Sequence, residues 1–346
     1  MKLIVTGGCG FIGSHFVRLA LRRLRTGQVV NLDCLTYAGR GRNLADLDGD
    51  RRYRHVRVDI ASPAAAERVI KEKPDAVVNF AAESHVDRSI RTALPFLRAN
   101  TLGAQNLLDA ARETGARFVQ VSTDEVYGSI EGRGRAREDW PLRPSSAYSA
   151  SKAAADLCAL AAHHTHGQEV VITRCTNNYG PWQFPEKLIP LMITNALHDL
   201  PLPIYGDGLQ KRDWIHVEDH CRGVWLALQK GRAGQIYNFG MGSEPSNIGI
   251  VRQLLRILGK PESLIQHVKD RLGHDRRYAV DCRKAGRELG WKPQVRFAEG
   301  LERTVSWYRE NVRWWLKLKD RAFREYYLKH YGSTLRQGAL GGGGGR

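Results

Sequence analysis

Residues 2–13 read KLIVTGGCGFIG, and their reading decides the fold. A strand-length run from Lys2 to Thr6 meets the turn Gly7-Gly8-Cys9-Gly10-Phe11-Ile12-Gly13, where a helical pattern begins. Glycine reaches φ > 0 without strain, lets backbone N–H groups close on a pyrophosphate, and leaves room for a helix against a sheet. Many strand-to-helix turns use glycine, so the turn alone is a weak signal. Here Asp33 stands 20 residues beyond Gly13, at the end of a second apolar run. A carboxylate at that place accepts the ribose 2′-hydroxyl of NAD. It also repels a 2′-phosphate, and Cys34 rather than arginine follows it, which favours NAD over NADP. Arg40 and Arg42 lie close enough to weaken that preference slightly.

Outward from this turn, short runs rich in Val, Ile and Phe at 2–7, 29–33, 54–59, 76–81, 118–123 and 170–175 alternate with helical patterns at 12–25, 62–73, 96–114 and 146–164. Strands of this kind, separated by helices, form a parallel sheet covered on both faces. The expected fold is α/β, a doubly wound parallel Rossmann-type sheet with a smaller C-terminal substrate-binding lobe. Beyond Gly180, prolines at 181, 185, 190, 201 and 203 break the rhythm, and helices are expected near 217–230 and 247–258. The domain reading is an NAD-binding domain over 1–180, rejoined by about 213–230, a substrate lobe over 181–332, and a flexible glycine-rich tail over 338–346.

Composition narrows the class. With 346 residues, 42% hydrophobic and 26% charged, the chain buries a large core and is not disordered. No apolar run approaches the roughly 18 residues that span a bilayer, and no apolar leader follows Met1. Cys9, Cys34, Cys158, Cys175, Cys221 and Cys282 are scattered without a C-x-x-C pair, so free thiols, a reducing cytoplasm and no metal site are expected. The excess of 53 Lys+Arg over 36 Asp+Glu gives +17, which suits an anionic partner. No recognised nucleic-acid module accompanies it.

Tyr148 and Lys152 are four residues apart and share a helix face. A nearby ammonium stabilises a phenolate, so the tyrosine is expected to act as a base. The fifth strand closes on Ser122-Thr123-Asp124-Glu125-Val126-Tyr127-Gly128. Side chains at the carboxyl ends of parallel strands face the ligand crevice. The two adjacent carboxylates read either as caps of the next segment or as an acid and a base with separated pKa values.

At these residues the chain resembles the extended short-chain dehydrogenase/reductases, and within them the dTDP-glucose 4,6-dehydratases. The matching stretches include AAESHVDRSI at 81–90, STDEVYG at 122–128, NNYGPWQFPEKLIP at 177–190 and GHDRRYAVD at 273–281. The resemblance implies an NAD-dependent lyase that oxidises glucose C4, eliminates water across C5 and C6, and reduces C6. The implied catalytic set is Tyr148 as base toward the 4-OH, aided by Lys152 and Thr123, with Glu125 taking the C5 proton and Asp124 protonating the 6-OH. Cofactor positions carried over are Gly7, Gly10, Phe11, Ile12, Gly13, Asp33, Cys34, Leu35, Thr36, Asp59, Ile60, Phe80, Ala81, Ala82, Ser84, Tyr148, Lys152 and Asn178. Positions for the sugar nucleotide are Ser84, Thr123, Asn177, Lys187, Leu188, Pro203, Ile204, Tyr205, Arg212, Asn247, Arg271 and His274. His85, Asp87 and Arg88 are read as ordering the loop under the substrate. The family also implies a homodimer through helices near 96–114 and 146–164.

The chain departs from the family pattern at Cys34 for Lys, Ala99 for Thr, Leu272 for Pro, and in the extra residues 40–42. A 4-epimerase or decarboxylase of the same fold shares the glycine turn and Tyr148/Lys152 but has no use for Asp124 and Glu125. A basic NAD-sensing protein that binds polyanions suits the charge and not the catalytic set. The base, thymine or uracil, stays open.

Overall fold

The computed structural model describes residues 1–325, 327–328 and 331–332; the glycine tail expected to be flexible lies outside the described residues. Its strands are β1 (Lys2–Thr6), β2 (Gln28–Asp33), β3 (Tyr53–Arg57), β4 (Ala76–Asn79), β5 (Arg117–Thr123), β6 (Val170–Cys175), β7 (Asn177–Tyr179), β8 (Leu202–Tyr205), β9 (Trp214–His216), β10 (Gln235–Phe239) and β11 (Ile265–Val268). Seven of them form one parallel sheet in the order β10-β6-β5-β4-β1-β2-β3. The chain leaves β1 toward β2 on one side and returns to β4 on the other. A crevice opens at such a reversal, beyond the carboxyl ends of the strands.

Strand residues alternate between two buried faces. Leu3 and Val5 pack with Phe16, Val17 and Val224 from the helices Phe11–Arg23 and Val217–Lys230. Ile4 and Val77 face Val69, Leu107 and Ala159 from the helices Pro63–Glu72, Gly103–Thr114 and Ala147–His166. A separate core gathers Ile193, Ile204, Leu254, Leu301 and Trp315 around β8 and β11. The return to the first sheet runs past 213–230, because β10 pairs with β6 and Ala285, Leu289 and Trp291 pack beside it. The run QIYNF escapes a search for continuous apolar strands, since polar residues interrupt it.

The helix expected at 96–114 is interrupted by a π-helical turn at Leu97–Leu102. Within it Asn100 is buried and clasps the Glu83 backbone, accepting from its N–H at 2.9 Å and donating to its carbonyl at 3.0 Å. The same amide donates to Ser151 Oγ at 2.8 Å, fixing the crevice loop to the helix Ala147–His166. Single π turns recur at functional sites for this kind of side-chain reach.

Beneath that helix lies a buried ion pair. Arg174 Nε donates to Asp156 Oδ2 at 2.8 Å, and Nη1 donates to the Tyr127 hydroxyl at 2.9 Å. Both side chains are almost fully inaccessible. Removing one partner leaves the other charge buried and uncompensated, at a cost of about 3–5 kcal/mol. Asp156→Ala is therefore expected to lower the urea midpoint sharply; a shift worth less than about 0.5 kcal/mol, as at ordinary surface sites, would refute this.

Candidate active site

The glycine turn is built for close approach. Gly7 sits at φ +67, and a Cβ there would come within 2.7 Å of the Ala81 backbone. At Gly13 a Cβ would collide with the Gly7 carbonyl oxygen. Asp33 receives the Cys9 N–H on Oδ2 and the Leu35 N–H on Oδ1, both at 2.8 Å. Each oxygen keeps a lone pair for a hydroxyl donor. Burial pushes the Asp33 pKa up, and these two amide bonds pull it back.

From Asp33 a cavity of about 440 Å³ runs past the glycine turn to Tyr148 and on to Arg212 and Arg271. Every position carried over above for cofactor or sugar nucleotide lines it, Leu35 excepted. Leu35, held at φ +58, turns its side chain into the core beneath the sheet, so its share is the N–H given to Asp33. Cys34 and Ala99 line the cavity, whereas Leu272 is 76% exposed and faces away from it. Glycines that forbid a Cβ and a buried ribose-type carboxylate on one cavity fit a dinucleotide.

At the reaction end, Thr123 caps the 3₁₀ turn Asp124–Tyr127, its Oγ1 accepting the Glu125 N–H at 3.3 Å. The cap of this turn is thus Thr123, and not the two carboxylates to which the sequence reading offered that role. The hydroxyl donates to Asp124 Oδ1 at 3.2 Å, while Asp124 Oδ2 is buried without a hydrogen-bond partner among the described residues. Burial, then the neighbouring Glu125, drives Asp124 well above the usual carboxylate range. Glu125 is also raised by burial, but Arg271, Lys187 and Arg212 oppose the rise. The pair is electrostatically unequal, which is what separate acid and base roles need.

Tyr148 and Lys152 occupy the first turns of the helix Ala147–His166, opened by a capping box between Ser146 and Ser149. The expected lowering of Tyr148 by Lys152 is not found. Lys152 Nζ donates to the Val121 carbonyl at 2.6 Å. Tyr148 is pushed far up by burial and by Glu125, with Thr123 pulling the other way. The ammonium is itself buried, which lowers the Lys152 pKa to about 8. Desolvation is the largest cause at both groups.

The far end gathers cations. Lys187 donates to the Ser84 carbonyl at 2.7 Å, and Arg271 Nη1 lies 3.3 Å from Asp87 Oδ1. Arg212 lays its guanidinium 4.2 Å from the Tyr278 ring centroid and donates to the Lys211 and Asp275 carbonyls. These cations line the cavity opposite the glycine turn and suit a second anionic ligand. Sequence reasoning missed Tyr278, Cys175, His220 and Tyr331, which also line the cavity. Tyr278 lies inside the GHDRRYAVD stretch and was legible there; Tyr331 arrives from a distant helix with no local signal.

Because Lys152 carries charge below about pH 8 and loses it above, kcat/KM is expected to fall as pH rises through that value. A profile flat to pH ~10, the ordinary lysine range, would count against a role for the ammonium.

Comparison with known proteins agrees with this geometry. The family model for GDP-mannose 4,6 dehydratase matches residues 4–304. The dTDP-glucose 4,6-dehydratase of Streptomyces niveus is 51% identical over 325 residues, covering 92% of this chain and 96% of that one. The structure of DesIV, a dTDP-glucose 4,6-dehydratase from Streptomyces venezuelae with NAD bound, superimposes with a TM-score of 0.89 at 53% identity, covering 92% of this chain and 100% of that one. The Thermus thermophilus UDP-glucose 4-epimerase with NAD is more distant, with 33% identity and a TM-score of 0.83 over 90% of this chain and 100% of that one.

Proposed function

This chain belongs to the dTDP-glucose 4,6-dehydratase family, and on that premise we propose that it converts dTDP-glucose to the 4-keto-6-deoxy sugar as an NAD-dependent hydro-lyase. The observation that carries the reading beyond an epimerase is the unequal carboxyl pair Asp124 and Glu125 at the end of β5. Asp33, the glycine turn, Asp59 and Asn178 would hold the cofactor along residues 1–180. Lys187, Arg212 and Arg271 would hold the sugar nucleotide from the second lobe, with Tyr205, Asn247 and His274 beside them. When bound, NAD would supply hydride transfer to and from the sugar, and its oxidised ring a positive charge that favours the Tyr148 phenolate.

The side chains move the protons. Tyr148, with Thr123 as its hydroxyl partner, takes the proton of the 4-OH as the phenolate, a form that burial opposes and that a cationic cofactor ring would favour. Once C4 is a ketone, the C5 proton is acidic enough for a carboxylate, and Glu125, kept ionisable by three cations, takes it. Asp124, whose protonated form burial and Glu125 favour, gives its proton to the departing 6-OH. The acid and the base are adjacent in sequence, so proton removal and water loss are served from one turn.

A homodimer is part of the proposal. Leu94, Leu97, Leu102 and Leu157 are large and exposed around the helices that pair in the family, and apolar patches of that kind mark interfaces. Light scattering at moderate salt is expected to give twice the mass of the 38.9 kDa chain; a monomer would remove this part. The reducing cytoplasm remains the proposed location. The described residues contain no helix long and apolar enough to cross a membrane, and all six cysteines are free.

Rapid mixing with dTDP-glucose tests the chemistry. Tyr148→Phe is expected to lose turnover by at least ~10²-fold, the low end for general base catalysis. Glu125→Gln should oxidise C4 and then stall, accumulating enzyme-bound NADH with little solvent deuterium entering C5. Asp124→Asn should also keep the first oxidation and slow water loss. Wild-type dehydration by both carboxyl variants would leave the pair without a chemical role and favour an epimerase.

A further inference from the structure

We infer that Glu186 is a positioning residue that ties the loop beside the adenosine end of the cofactor to the loop that grips the nucleotide sugar, so that each ligand helps to order the other's site. The inference rests on the ligands proposed above. Glu186 lies between Pro185 and Lys187, just before the helix Leu188–Ala196. Its side chain is only 3% exposed, and three groups converge on its carboxylate.

Tyr37, four residues beyond Asp33, donates its hydroxyl to Oε1 at 2.8 Å. Arg88 brings Nη2 to 3.5 Å from Oε2 and lays its guanidinium 3.9 Å from the Tyr37 ring centroid. His85 Nε2 stands 3.6 Å from Oε2. Phe184, from the same loop as Glu186, meets the Tyr37 ring edge-on at 5.4 Å. The loops that follow β2, β4 and β7 are thereby pinned to one carboxylate. Each pin has a ligand-facing neighbour: Thr36 beside Tyr37, Ser84 beside His85, and Lys187 beside Glu186. Lys187 already donates to the Ser84 carbonyl, which closes the circuit.

A carboxylate buried this deeply is costly unless it is paired and hydrogen-bonded. Burial raises the Glu186 pKa, and Lys187, Arg88 and the Tyr37 hydrogen bond oppose that rise. The proton transfers assigned to Tyr148, Asp124 and Glu125 make no use of it. What the arrangement does is transmit order: a cofactor that fixes the loop of Thr36 and Tyr37 also fixes Glu186, and with it Lys187.

The test is the exchange of bound NAD for isotopically labelled NAD on the holoenzyme, with and without dTDP. Coupling between sites is typically 5–150-fold, so dTDP is expected to slow exchange by at least about 5-fold in the wild type. In Tyr37→Phe, which removes one hydroxyl, the slowing should shrink to less than about 2-fold, while KM for dTDP-glucose rises and kcat holds. Glu186→Gln keeps an acceptor for Tyr37 but loses the charge that holds Arg88, and should weaken the coupling too. If Glu186→Gln does not fold, Tyr37→Phe decides alone. An unchanged exchange ratio in Tyr37→Phe, a wild-type ratio of one, or a loss of kcat at constant KM would overturn the tie. Exchange needs no turnover, so wild-type turnover of dTDP-glucose judges the parent reading separately.

Discussion

The parallel register of β5 on β6 is the constraint on which the crevice depends. It sets Thr123 opposite Cys175 and Ser122 opposite Arg174. The helix Ala147–His166 connects these two strands, so Tyr148 and Lys152 are delivered beside the residues that end them. A slip of one residue would turn every side chain of a strand to the other face. Asp124 would then leave the crevice, and Arg174 would leave Asp156. The buried pair of Arg174 and Asp156 opposes that slip, because neither charge tolerates losing its partner.

Electrostatics then divide the work within the register so fixed. The carboxyls at 124 and 125 share a turn and are both raised by burial. What separates them is what each faces. At Asp124 the largest charge effect is the other carboxyl, which adds to burial, with Arg212 opposing. At Glu125 three cations, Arg271, Lys187 and Arg212, oppose the effect of burial. The cations that suit a diphosphate therefore also favour ionisation of one carboxyl over the other. Substrate affinity and proton inventory draw on the same three side chains.

Much of this was legible in the sequence. The glycine turn, Asp33 and the alternation of strands fix the sheet, since each rests on local chemistry or short periodicity. The roles of 123–125 came only with the family resemblance, whereas Tyr148 and Lys152 were legible from their spacing. The state of Tyr148 was not. Spacing places an ammonium near a phenol, but cannot show that Lys152 is aimed at the Val121 carbonyl or that both groups lose their water. Nor could it reveal Tyr331, which reaches the cavity from beyond residue 320. β10 was hidden by its polar residues, which tell of an edge strand only once β6 is known to lie beside it.

The net charge shows the same boundary between local and long-range information. A +17 chain invites a search for nucleic acid or membranes. Yet many of its arginines are matched nearby, as in Arg18 with Asp46, Arg117 with Glu169 and Arg276 with Asp207. Exposed pairs of this kind contribute little to stability, and each is neutral as a pair. In the cavity Arg212 is different: its hydrogen bonds go to backbone carbonyls, which hold the guanidinium in place without neutralising it. Its charge is therefore still available to an anionic ligand, and burial makes that charge act at closer to full strength than any on the surface. Where a cation sits, and what it is bonded to, decides its function; how many the chain carries does not.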